Sequence, residues 1–281
     1  MLNRTLALNE NNPPRRTFSG IPVFLTLDSH RPTHVLDELG RLLPTRDIRC
    51  IQDGDDRSGP FRRRVTPSSL DREARRLAGR LDGARSRRPV HLVAHALDAA
   101  VALRAALDEP ERFASITLIE PLSIHLLRGE SLHDRKLFGE CSGLFGEFSV
   151  SVASGDRHRA AALHCDHLGG RGSWSLLSDR RRSVLADAMP EIVRLFWAAM
   201  QDGTRLNDLA ALDTPILVLS GRRSPAPCRR IGELIATSVP TALYVRIDDA
   251  GHNLPFSHGR LVGRHVVQHI AVVESLRDEA A

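Results

Sequence analysis

Residues 90–121 read VHLVAHALDAAVALRAALDEPERFASITLIEP. The opening VHLVA (90–94) is a short run of apolar and β-branched side chains, the composition of a buried strand. An alanine-rich stretch, 97–107, follows; Asp108, Glu109 and Pro110 stop it, so it reads as a helix. Residues 115–119 (SITLI) form a second apolar run. A strand, a helix and a strand within about thirty residues make a crossover unit, whose two strands lie parallel in one sheet.

The same rhythm extends outward in both directions. Apolar runs recur at 22–27 (PVFLTL), 48–52, 215–220 (PILVLS) and 242–247 (ALYVRI). Helical spacing marks 66–81, where Leu70, Ala74, Leu77 and Leu81 follow the cap candidates Thr66, Ser68 and Ser69. Helices are also expected at 227–239 and 257–276. Strands that read as continuous apolar runs are covered on both faces, so the expected class is α/β: a mostly parallel twisted sheet flanked by helices. The segment 122–207 breaks the alternation with helical stretches and no strand. It reads as a helical lid inserted into a core made of 1–121 and 208–281.

Composition narrows the function classes. With 42% apolar and 26% charged residues in 281, the chain is neither disordered nor fibrous. Cys50, Cys141, Cys165 and Cys228 form no C-x-x-C pair, which argues against a disulfide framework or zinc knuckle and for a reducing compartment. No run approaches a membrane span and the first residues carry no apolar signal core, so a cytoplasmic protein without membrane partners is expected. The net charge is +5, and Lys136 is the single lysine among 39 cationic residues. The arginine clusters at 62–64, 85–88 and 180–182 are separated, interrupted by acids and free of interleaved aromatics, which speaks against nucleic acid. The expected partner is a small molecule; the sequence leaves the oligomeric state open.

Residues 90–121 resemble the nucleophile-elbow region of the α/β-hydrolase superfamily, where a strand ends in a sharp turn that lifts a nucleophile above the sheet and places helix N-terminal amides beside it. Laid on the usual G-H-S-x-G-G pattern, Ala94, His95, Ala96, Leu97, Asp98 and Ala99 occupy the six positions, so Ala96 stands where the serine belongs. A methyl group can neither attack a carbonyl nor be activated by a base. Ala94 and Asp98 also replace the flanking glycines. A shifted register, 96–100, would make Asp98 a carboxylate nucleophile; the plainer reading of Asp98 is a first-turn acid favoured by the helix dipole.

The resemblance continues at the C-terminal end. Residues 248–256 (DDAGHNLPF) match the loop that carries the general base, which puts His252 in that role. The usual partner acid would sit in a G-x-x-D pattern after 215–220, where Gly221-Arg222-Arg223-Ser224 has a serine. A second location for the acid in the superfamily follows the strand after the elbow helix, and Glu120 occupies it. Leu27-Asp28-Ser29-His30 stands where a His-Gly pair would supply a second oxyanion amide, and an Asp28 carboxylate there would repel an oxyanion. Asp28 is either an acid, a base or a substrate-orienting group, or else a loop cap. Asp53 matches a scaffold aspartate of the superfamily. The resemblance therefore implies catalytic roles for His252, Glu120, the Ala96 position, Asp98 and Asp28, with Leu27, Ser29, His95, Leu97 and Trp197 lining the oxyanion or substrate site.

In the lid, His164-Cys165-Asp166-His167 is an H-x-x-H step that puts two imidazoles on one helical face, without further ligands evident for a metal. Trp174, Phe196 and Trp197 either pack the lid or line its inner face. Neither a dinucleotide fingerprint nor a Walker loop is present, so no cofactor is expected. The leading functional expectation is a cofactor-free small-molecule enzyme that uses His252 for acid–base chemistry: a lyase, isomerase, cyclase, decarboxylase or direct-water hydrolase. The alternatives are an inactive homologue that binds a ligand or partner, and an esterase-like hydrolase in which alanine was substituted for the serine at position 96.

Overall fold

Among the described residues six strands, β1 (Val23–Thr26), β2 (Ile48–Cys50), β3 (Val90–His95), β4 (Phe113–Ile119), β5 (Ile216–Gly221) and β6 (Ala242–Ile247), form one sheet in the order β2-β1-β3-β4-β5-β6. Every neighbouring pair is parallel. The computed structural model describes residues 19–27, 34–51, 69–83, 89–129 and 131–279. All six strands fall on the apolar runs read from the sequence, and the expected α/β class holds.

Ten helices surround the sheet among the described residues: α1 (His34–Leu42), α2 (Leu70–Gly83), α3 (Ala96–Asp108), α4 (Leu132–Ala153), α5 (Arg157–Gly169), α6 (Asp179–Gln201), α7 (Leu206–Leu209), α8 (Ala226–Ser238), α9 (Leu254–Ser257) and α10 (Gly259–Glu279). The expected helix at 66–81 is described from Leu70 onward; Thr66 and Ser68 lie outside the described residues, and Ser69 Oγ accepts from the Arg72 amide at 3.3 Å. A strand's side chains alternate between faces, so each central strand feeds two cores. Phe24, Leu92, Ile116, Leu118 and Val218 pack with α2, α3 and α8 on one face. Val23, Leu25, Val93, Ile119 and Leu217 pack with α1 and α10 on the other. Burial on both sides explains why β3, β4 and β5 are solidly apolar, whereas the edge strand β6 alternates and leaves Leu243 exposed.

Between β4 and β5 the chain runs through a short 3-10 turn (Ile124–Arg128) and then α4, α5 and α6, with no strand among the described residues. Phe148, Ala160, Ala161, Ala186 and Met189 give this segment a small core of its own. Two ion pairs tie it to the sheet's helices. Arg230 of α8 grips Asp134 of α4 with both ends of its fork, at 2.6 and 3.1 Å, and this hydrogen bonding outweighs burial to hold the Asp134 carboxyl below its ordinary range. Arg194 of α6 reaches Glu73 of α2 at 2.7 Å. Among the described residues no helix is long and apolar enough to cross a membrane.

Candidate active site

The carboxyl ends of β3, β4, β5 and β6 converge on one side of the sheet, which is where parallel sheets place their chemistry. At the end of β3, His95 is still extended, with φ −120° and ψ 142°, and Ala96, the first residue of α3, turns to φ +55°. A residue with a Cβ pays about 1–2 kcal/mol for left-handed backbone. The turn is held in place: the Ala96 carbonyl accepts from the Leu122 amide at 3.0 Å, which binds the elbow to the loop after β4. Leu97 is buried in the first turn of α3, where backbone amides are free of intrahelical partners. Asp98 also lies within that turn and is not among the residues with positive φ, so the backbone turns at Ala96.

At the end of β4 a second strained residue, Glu120, has φ +49° and no exposed surface. Its Oε1 accepts from the Gly221 amide at 2.6 Å, the Ser224 hydroxyl at 2.7 Å and the Ser220 hydroxyl at 3.1 Å. Its Oε2 meets His252 Nδ1 at 3.2 Å. Burial pushes this carboxyl up, but the hydrogen bond and charge of His252, the Gly221 amide and the Ser224 hydroxyl together bring it below its ordinary value. Glu120 is therefore a carboxylate at neutral pH. Gly221 is required beside it, since an added Cβ would stand 2.4 Å from the Ala250 carbonyl oxygen. The same approach lets the Arg223 amide donate to Ala250 at 2.8 Å, which pins the loop carrying His252 to the loop after β5.

His252 is buried. A carboxylate only accepts, so Nδ1 of this imidazole carries a proton toward Glu120, and Nε2 is the ring nitrogen turned away from that contact. His95 braces the loop from below: its Nε2 donates to the His252 carbonyl at 3.1 Å, and its ring lies 5.1 Å from the His252 ring and edge-on to Phe256 at 5.9 Å. Cys228 of α8 completes the cluster, with Sγ within 4.8 Å of a Glu120 oxygen and a His252 nitrogen. This is the one group of possible metal ligands among the described residues. It makes a poor ligand set, because Glu120 Oε1 already accepts three hydrogen bonds and burial drives the Cys228 thiol well above its ordinary value, keeping it protonated.

The structure thus gathers the elbow at Ala96, Leu97 and His95 with Glu120 and His252 at one end of the sheet. Leu27 is buried at the end of β1, while Asp28, Ser29, His30 and Asp53 lie outside the described residues. Trp197 is 47% exposed and packs edge-on against Phe145 at 4.8 Å. The sequence reading missed the donors Ser220, Ser224 and Gly221. The signal was there in part, since the serine in the G-x-x-D position and the acid at 120 are two halves of one arrangement. A second chain of Ser115, His91 and Glu274 also exists, with His91 Nδ1 at 2.8 Å from Ser115 Oγ and Nε2 at 3.4 Å from Glu274. It is at the opposite ends of β3 and β4, with Ser115 and His91 buried, and serves packing against α10.

No family model and no curated protein matches the chain. Solved structures do. A thermophilic esterase from Thermogutta terrifontis is 19% identical, with a TM-score of 0.65 over 92% of each chain. A hydrolase from Oleispira antarctica is 16% identical, with a TM-score of 0.66 over 91% of this chain and 93% of that one. An enol-lactonase from Burkholderia xenovorans is 14% identical, with a TM-score of 0.62 over 90% and 92%. With six parallel strands, an elbow after β3 and near-complete mutual coverage by these structures, the chain has the α/β-hydrolase fold.

Proposed function

We propose that the protein is a small-molecule enzyme that works by acid–base chemistry at His252, oriented by Glu120, without forming an acyl-enzyme. The observation that carries this reading is the 3.2 Å contact of His252 Nδ1 with a Glu120 carboxylate held by three further donors. A decayed site would have no reason to keep a fully satisfied buried acid against a buried imidazole, since an unsupported buried carboxylate is costly. In the proposed reaction Nε2 takes a proton from the substrate or from a water, and the imidazolium that results is stabilised by Glu120. The Leu97 amide at the start of α3 faces the charge that develops on the substrate oxygen. The proton then returns from Nε2 to a different atom of the substrate or to the leaving group, which restores the neutral imidazole. Lyase, isomerase, cyclase, decarboxylase and direct-water hydrolysis reactions all fit this scheme.

Mass spectrometry of a metabolite library incubated with wild type and with His252→Ala tests it. Wild type should convert at least one compound, and His252→Ala should slow that conversion by about 10² to 10⁴. Equal conversion by both proteins, or none by wild type across the library, counts against catalysis and favours ligand binding alone.

A further inference from the structure

One face of α4 is turned to solvent along its whole length. Leu132, Lys136, Gly139, Gly143, Glu147 and Val150 are all exposed and follow one another at three- and four-residue spacing, so they share one side of the helix. The opposite side carries the buried Asp134, Leu137, Phe145 and Phe148. The two apolar ends of the exposed face stand out, with Leu132 79% and Val150 69% accessible.

The charges on this face say what would cover it. Lys136 lies one turn after Leu132, Glu147 lies one turn before Val150, and neither makes an ion pair among the described residues. The face is therefore cationic toward its start and anionic toward its end, and an identical face laid antiparallel on it is complementary in charge. With a two-fold axis beside Gly143, Lys136 of each copy lies toward Glu147 of the other, and Leu132 toward Val150. A groove of about 590 Å³, lined by Gly143, Gly146, Val150, Ser154 and Arg159 among others, gives the Leu132 side chain of a second copy a place to enter. Close approach is open as well: a Cβ added to Gly139, Gly143 or Gly146 would meet nothing within 4 Å. Alanine would favour an exposed helix by about 0.8–1 kcal/mol at each of these positions, so the glycines give an isolated α4 no advantage.

We propose that this face is the interface of a two-fold symmetric dimer, in which two copies of α4 cross antiparallel at Gly143 and Lys136 pairs with Glu147 between copies. The inference is independent of the chemistry at His252. A contact built on one helix pair falls at or below the low end of the roughly 1,200–2,000 Å² of stable interfaces, so the dimer dissociates in the micromolar range.

Sedimentation velocity from micromolar concentration upward should show monomer passing into dimer. Gly143→Arg, whose side chain has open space in the monomer, should abolish the dimer and leave the circular dichroism spectrum unchanged. Lys136→Glu should weaken the dimer about threefold to tenfold, and adding Glu147→Lys should restore it. Lys136 is the single lysine, so carbodiimide coupling of lysine to carboxylates has one side-chain origin. In a mixture of isotope-labelled and unlabelled protein it should yield a hybrid peptide joining Lys136 to Glu147, which within one helix are separated by roughly 16 Å of rise. A wild type that stays monomeric throughout, including one that instead cosediments with phosphatidylserine vesicles, overturns the proposal. So does a dimer as tight in Gly143→Arg or Lys136→Glu as in wild type.

Discussion

The Ser224 hydroxyl donates to Glu120 Oε1 across 2.7 Å. Ser224 occupies the place where the sequence pattern called for the acid, and Glu120 supplies the acid from the neighbouring strand end. The two positions are complementary: one holds the carboxylate that meets His252 and the other donates to it.

This complementarity makes the exchange of side chains at 224 sharply asymmetric. Ser224→Ala removes one hydrogen bond to a charged group and should cost about 1.5–3 kcal/mol in urea denaturation. Ser224→Asp should be worse than Ser224→Ala, because two carboxylates cannot both ionise at that distance. Adding Glu120→Ser to Ser224→Asp should recover stability. A Ser224→Asp protein as stable as wild type at neutral pH would show that Glu120 is not held as an anion.

Gly221→Ala places a methyl group against the Ala250 carbonyl, a backbone atom that cannot move without its loop. Overpacking of this kind costs about 1–3 kcal/mol. Because the same loop carries His252, the ring signals of His252 should shift as well. An unperturbed His252 spectrum with unchanged denaturation would mean that the loops after β5 and β6 are not in the contact described.

The central strands were legible because they are buried on both faces, and an apolar run such as 90–94 or 215–220 admits few other readings. The helices between β4 and β5 were legible as helices only. Their packing onto α2 and α8 depends on pairs such as Arg194 with Glu73 and Arg230 with Asp134, far apart in sequence and without local signature. His252 and Glu120 could be nominated from their positions after strands. The donors at 220, 221 and 224 could not, since only the parallel pairing of β4 with β5 brings residues a hundred positions apart to one carboxylate.

Acid should unfold this protein from a pH well above the carboxylate range. His91 is held at about 4, with burial as the main cause; Glu274 pulls it up while Arg46 and His269 pull it down. The unfolded chain takes up a proton there near 6.5, and the folded protein does not until about 4. Stability is therefore complete above 6.5 and is lost as the pH falls toward 4. The step corresponds to about 3 kcal/mol for His91. His164, held at about 3, acts with the same sign. Urea midpoints should fall between pH 7.5 and 4.5, and His91→Asn should flatten part of that slope. A slope unaltered in His91→Asn would place the acid sensitivity elsewhere.

A hydroxyl placed at position 96 interrogates the turn after β3 and His252 together. Ala96→Ser should hydrolyse p-nitrophenyl butyrate with a burst of p-nitrophenol, wild type should not, and adding His252→Ala to Ala96→Ser should abolish the gain. A folded Ala96→Ser protein without esterase activity, or one whose activity survives the loss of the imidazole, would contradict the placement of Ala96 opposite a working His252.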